Sequence, residues 1–387
     1  MAGLASATSL LYVASYAGTL TTLVFTTDAT TGQSSLQTVA TVSGCGNASW
    51  LTLDHPNRTL YCLDEAIHAP DSTLFRFRTN RNGTLTPLDQ VAVPNGAVSS
   101  VIYGLAGKEL AIASYEGGAI STYNIASSPP THLHTSTFHL PHPGPNPDHR
   151  QDAPHPHQAI TDLTGRFLFV PDLGADLVRV WAINSETLEL TPAPSLVVTP
   201  PGSGPRHGVF LQSGKKTFFY LLCELANTII VYQVSYETDG MLEFAQVYVT
   251  GTHGEDGTVP RGAAAAEIII SPCTQYLIIS SRLEGTSSDP LITFAINHDT
   301  GVITHHSTVP AGGLTPRHFS LNNAGTLVAV GLQGSGRVAI FPRDTDTGVI
   351  GDVPLAFVDG LGEVTAVVFG GAGYVEELEE DRIQELR

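Results

Sequence analysis

The chain has 387 residues, 42% hydrophobic and only 14% charged, and its 36 acidic against 18 basic side chains give a formal charge of −18. Such a surface repels nucleic acid and acidic membranes, and the lysines at 108, 215 and 216 form no basic patch. No window approaches the roughly 18 consecutive apolar residues of a membrane-spanning helix.

The 38 glycines and 25 prolines are scattered between short apolar runs, the pattern of many short strands joined by turns. At the N-terminus, MAGLASATSLLYVASYAG is apolar but lacks a basic leader region. Its LLYVASY belongs to the repeats described next, so it reads as a strand; a secreted form would have had its leader removed. Three N-glycosylation triplets follow, at Asn47, Asn57 and Asn82, near Cys45 and Cys62. Together they point to a secretory route, with the cytoplasm as the alternative. Cys223 and Cys273 complete a set without any CxxC pair, so zinc-type spacing is absent.

Seven apolar runs recur along the chain: LYVASY (11–16), LYCLDE (60–65), LAIASY (110–115), FLFVPD (167–172), FYLLCE (219–224), LIISSR (277–282) and LVAVGL (327–332). They begin 49 to 58 residues apart. Most are followed by a second, alternating run such as LVRVWAI or TIIVYQV, and all but the first are preceded by another strand. A repeat of this length with three or four antiparallel strands is a propeller blade. The expected fold is therefore all-β, a seven-bladed β-propeller over 1–373, with an acidic tail at 374–387. The first unit lacks its leading strand and VTAVVF (364–369) is left over, so pairing the two would close the ring and leave no open edge.

Within each unit the inner strand and the next run antiparallel, so the start of one and the end of the other share a face. The strand ends read Tyr16, Glu65, Tyr115, Asp172, Glu224, Arg282 and Leu332. The strand starts read Trp50, Ser100, His157, Arg206-His207, Glu267, Arg317-His318 and Thr365. Any one of these is ordinarily a solvated strand end. Two columns of acids, arginines and histidines on one rim mark a site around the central channel.

Ahead of the fourth unit stands PGPNPDHRQDAPHPHQAI (143–160). Asn146-Pro147, Arg150-Gln151 and Pro154-His155-Pro156-His157, with GPRH (204–207), LCEL (222–225) and ISSR (279–282), resemble the lactonase propellers grouped around bacterial 6-phosphogluconolactonase and fungal 3-carboxy-cis,cis-muconate cyclase. The resemblance spans nearly all blades. It implies opening or closing of a lactone ring without a cofactor, with His157, Arg206, Glu224 and Arg282 as catalytic residues. Gln158 departs from it, standing where a serine usually follows the PHxH motif, and Ser281-Arg282 replaces Asn-Arg.

Lactone hydrolysis develops an oxyanion, for which Arg206 and Arg282 are the natural donors. Water must lose a proton, and His157 is the favoured base, with Glu224 orienting it or sharing the acid–base role. His155, Arg150, His207, Glu65, Tyr115, Asp172, Glu267, Arg317 and His318 are candidates for substrate contact. Neither a GxSxG elbow nor HExxH occurs. The histidines at 132, 134, 139, 142, 149, 155 and 157 lie in a Pro-rich loop that fits no known ligand set, so no metal is expected. In an extracellular monomer the substrate would be a neutral aldonolactone such as glucono-δ-lactone or cellobiono-δ-lactone. The alternatives are a carboxymuconate cyclase, whose tricarboxylate would need the arginines, and a propeller that only binds. Glu224→Gln is expected to fold normally and lose most turnover.

Overall fold

In the computed structural model, residues 7–67, 69–104, 107–146, 150–237 and 241–370 are described. They form 28 strands and no helix, arranged as seven four-stranded sheets. Strands β1 to β3 cover 7–43, β4 to β7 48–93 and β8 to β11 97–137. Strands β12 to β15 cover 160–197, β16 to β19 205–251, β20 to β23 264–310, β24 to β27 316–358, and β28 is Val364–Phe369. Each sheet is a blade of the propeller. The expected C-terminal tail lies outside the described residues.

Ring closure follows the expected route. Strand β28 pairs antiparallel with β1 (Ala7–Ser15), Leu11 opposite Phe369 and Tyr12 opposite Val368, in a sheet ordered β28-β1-β2-β3. The repeated apolar runs are the second strands of the blades. Strands β9 (Glu109–Ser114) and β13 (Phe167–Asp172) are buried at every position, because adjacent blades cover both of their faces. The outermost strands alternate instead, as in β7 (Leu85–Val93), where one face meets water. Adjacent blades pack through apolar side chains: Phe218, Tyr220 and Leu222 of one blade pack with Ile268, Ile279 and Phe294 of the next.

Blade four departs from the pattern. Its inner strand β12 is only Ile160–Thr161, since Pro154 and Pro156 supply no N–H to a ladder. The preceding segment nevertheless stays beside β13. The His157 amide donates to the Pro171 carbonyl (2.9 Å) and the Leu173 amide to the His155 carbonyl (3.0 Å).

A bulge recurs in the inner strands, with register shifts between Ala48 and Trp50, Pro205 and His207, and Pro316 and His318. A regular strand sends successive side chains to opposite faces, and a bulge re-aims them. The shifts therefore let Arg206 with His207, and Arg317 with His318, line one hub cavity together.

Cys45 and Cys62 are free thiols buried in one apolar cluster. Cys223 ends β17 (Lys216–Cys223) on the hub-mouth side, whereas Cys273 sits in the turn between β20 (Ala264–Ile270) and β21 (Tyr276–Arg282) at the far side. These two cannot bridge.

Candidate active site

Second strands and inner strands from several blades deliver the two columns to the mouth of the central channel. Two compartments result. A cleft of about 610 Å³ is lined by Asn146, Arg150, Glu224, Asn227 and Arg282, within the size range of small-molecule sites. Beneath it, a hub cavity of about 10 Å³ is lined by Trp50, His157, Arg206, His207, Arg317 and His318, and has room for about one water.

Glu224 is the centre of the cleft wall. Its Oε1 accepts from Arg150 Nη2 (2.6 Å) and Arg282 Nη2 (2.7 Å). Arg206 Nε lies 3.1 Å from Oε2. That approach is off line for a hydrogen bond, so Arg206 Nε and Glu224 Oε2 are buried without a hydrogen-bond partner among the described residues. Burial alone would raise the Glu224 carboxyl; Arg282, Arg150 and Arg206 outweigh it and hold the group down at about 2. Glu224 is thus a permanent anion clamped among cations, a poor proton acceptor.

Arg206 joins the compartments. Its side chain is 3% exposed, and Nη1 donates to the Ala266 carbonyl and lies 3.4 Å from His207 Nε2. Burial, and then the neighbouring Arg282, push this guanidinium below its usual range. Guanidinium groups stay protonated in proteins, so the direction marks a cluster of cations that an anion would relieve.

His157 lies below. Its Nδ1 is 3.2 Å from His207 Nε2, and His207 Nδ1 is 3.0 Å from Glu267 Oε1. Burial, with Arg206 and His207 next in weight, lowers His157 well below the usual histidine range, so it is neutral near pH 7. His207 is lowered to about 4, mainly by burial. Glu224 touches neither imidazole, which corrects the expectation that it orients His157: the carboxylate reaching His157 is Glu267, through His207.

On the opposite side of the hub, Arg317 Nη2 is 3.4 Å from Glu65 Oε2, which also accepts from the Tyr16 hydroxyl. His318 Nε2 is 3.8 Å from Glu267 Oε2. Tyr115 stacks on His155 (centroids 4.1 Å apart) and meets His157 edge-on. His155 is fixed from both ends, its Nδ1 3.1 Å from the Tyr115 carbonyl and its amide donating to Asp172. It is packing support beside the site.

Asp172 is not available to a substrate. Its Oδ1 accepts from the amides of His155 (2.7 Å) and Ala175 (3.1 Å), and its Oδ2 from Arg179 Nε (2.8 Å). It staples the His155 loop to blade four. Gln158 acts as a tie between blades. Its Oε1 accepts from the Gly208 amide (2.7 Å), joining blade four to the strand that carries Arg206. Asn227 is a cleft residue that the strand columns do not include; the NTI start of the third strand in blade five is its only signal, and Nδ2 donates to the Ala263 carbonyl (2.7 Å).

The Asn47 triplet is corrected as well. Asn47 Nδ2 donates to the Tyr16 carbonyl (3.3 Å), and Ser49 is buried in β4 (Ala48–Asp54). Asn57 and Asn82 are exposed in turns on the face away from the mouth. Among the described residues no group of three or more His, Cys, Asp or Glu side chains is arranged to hold a metal ion.

Fold and site together define a seven-bladed β-propeller with a buried, arginine-lined pocket at its hub. Residues 10–369 match the family described as Lactonase, 7-bladed beta-propeller, and the chain belongs to that family. It is 30% identical over 349 residues to a protein of Arthroderma benhamiae named "Probable 6-phosphogluconolactonase", covering 89% of this chain and 84% of that one. It is 27% identical over 335 residues to the 6-phosphogluconolactonase of Formosa agariphila, covering 86% and 91%. In three dimensions it resembles the periplasmic gluconolactonase of Pseudomonas aeruginosa, with a TM-score of 0.77, 25% identity, and 94% and 99% of the two chains covered.

Proposed function

We propose that the protein hydrolyses sugar-derived lactones of the gluconolactone class, opening the ring at the hub mouth to give the aldonate. The observation that carries this reading is the guanidinium cluster around Glu224, with a buried Arg206 Nε beside the cleft that has no hydrogen-bond partner among the described residues. Family membership and the names of the relatives support it.

In this mechanism His157 takes a proton from water as its oxygen bonds to the lactone carbonyl carbon. Arg206 and Arg282 donate to the developing oxyanion, and Glu224 keeps both in place. The intermediate then collapses: the bond from carbon to ring oxygen breaks, and the imidazolium returns its proton to that oxygen. Glu224 serves as a fixed counter-charge and undergoes no proton transfer.

Because His157 acts as its neutral form and its pKa is depressed, lowering the pH removes activity only well below 6.5. A profile of kcat/KM between pH 4 and 8 is expected to be flat above 6.5; an inflection near the unperturbed histidine value of about 6.5 would contradict this placement.

Arg150 stands at the rim, its side chain 44% exposed. It favours a lactone carrying an anionic substituent, such as a phosphate ester, as a second reading. Arg150→Ala is expected to raise KM roughly tenfold with kcat less affected, since it removes binding common to substrate and transition state. The reverse pattern, with kcat falling and KM constant, would place Arg150 on the reacting carbonyl.

The deciding experiment follows acid release from glucono-δ-lactone, its 6-phosphate and carboxymuconolactone in parallel, with and without EDTA. Acceleration of either gluconolactone supports the proposal. Activity on carboxymuconolactone alone selects the cyclase reading, loss with EDTA a metal mechanism, and inactivity throughout a binding propeller. An extracellular location is part of the proposal, because glycans on Asn57 and Asn82 would leave the mouth open. A mass measurement on protein from its native host, showing neither glycan, would overturn it.

A further inference from the structure

A continuous buried chain runs from blade six to blade four: Glu267 Oε1 to His207 Nδ1 at 3.0 Å, and His207 Nε2 to His157 Nδ1 at 3.2 Å. Its protons can be placed by counting donors. Burial would raise the Glu267 carboxyl, but His207, His318 and Arg206 hold it down at about 2, so it only accepts. His207 must therefore carry its proton on Nδ1. A neutral imidazole has a single N–H, which leaves His207 Nε2 as a lone pair. Arg206 Nη1, 3.4 Å from that nitrogen, can only donate and agrees with this assignment. His157 Nδ1 faces the same lone pair and must hold the hydrogen between them. Its Nε2 is then a lone pair, without a hydrogen-bond partner among the described residues, on a ring that lines the hub cavity.

We propose that Glu267 and His207 are positioning residues that fix His157 in its Nδ1–H form and so make Nε2 the atom that takes the proton from the attacking water. The inference rests on the lactonase reading for its chemistry, but the hydrogen placement needs only the hydrogen-bond geometry, an ionised Glu267 and a neutral His207. The surroundings lock the chain. Trp50 presents its ring edge-on to both His207 (5.8 Å between centroids) and His318 (5.2 Å). The Glu267 amide donates to Ser280 Oγ at 3.1 Å, and Glu267 Oε1 also accepts from the Ile268 amide at 3.1 Å. When Nε2 gains a proton, the charge on His157 is shared through His207 toward Glu267, which offsets Arg206, Arg317 and Arg150 facing the ring. On collapse of the intermediate the same proton passes from Nε2 to the ring oxygen, so the relay ends as it began.

Two measurements test this. A long-range ¹H–¹⁵N NMR spectrum of the wild-type protein reports histidine tautomers without any substrate; both His157 and His207 are expected with hydrogen on Nδ1. His157 with hydrogen on Nε2 would overturn the proposal. Separately, Glu267→Gln is expected to lower kcat about 10²-fold, the lower end of what a general base contributes, with KM within about twofold. Glu267→Asp should recover part of that loss. Wild-type kcat in a folded Glu267→Gln protein, with an unchanged pH profile, would also overturn it. If the wild-type protein opens no lactone, the functional reading fails, while the tautomer spectrum still decides the relay.

Discussion

Glu224→Gln is expected to lower kcat/KM by at least about 10²-fold, comparable to removing an oxyanion donor, and to weaken the fold at the same time. The carboxylate is the shared partner of Arg150, Arg206 and Arg282, and it is buried with two of them. Glutamine keeps the volume but removes the charge and turns one acceptor into a donor aimed at cations. Breaking a buried ion pair from one side costs on the order of 3–5 kcal/mol. The sequence alone suggests a normally folded variant; the three-arginine clamp changes that expectation. Urea denaturation beside steady-state kinetics checks both parts, and a variant with wild-type stability and rate would remove Glu224 from the site.

His157→Asn is expected to lose about 10³-fold in kcat, within the usual range for a general base, with a small change in KM. The imidazole sits under the cleft and does not line it, so its loss removes proton transfer more than binding. A residual rate should survive from Arg206 and Arg282, which still stabilise the oxyanion. The variant should also lose the acidic limb that His157 imposes on the pH profile. Retention of kcat within tenfold would assign the base elsewhere, with His318, which lines the same hub cavity, as the alternative.

Much of this arrangement is legible in the sequence because a propeller is periodic. The runs LYVASY to LVAVGL keep their spacing, and each is buried between neighbours, so seven second strands and the surplus VTAVVF follow directly. The same periodicity places Glu224, Arg282, Arg206 and His157 at one mouth. What it does not carry is which side chains meet. Periodicity puts Asp172 on the rim, yet Arg179, seven residues on in the neighbouring strand, claims it. Glu267 reads as a strand-start acid, and its partnership with His207 depends on two blades packing at the hub. The consecutive pairs Arg206-His207 and Arg317-His318 violate strand alternation, and only the bulges explain how both members face inward. Asn47 looks like the other glycosylation triplets until its amide is seen to hold the Tyr16 carbonyl.

Cations at the hub mouth drive ring opening in this mechanism, and everything proposed for the site depends on them. The most direct measurement is a pH-stat trace of glucono-δ-lactone hydrolysis by the wild-type protein and by Arg206→Ala at equal concentration. A wild-type rate well above spontaneous hydrolysis is expected, with a fall of about 10²–10³-fold in the variant. Equal rates from two folded proteins would contradict it.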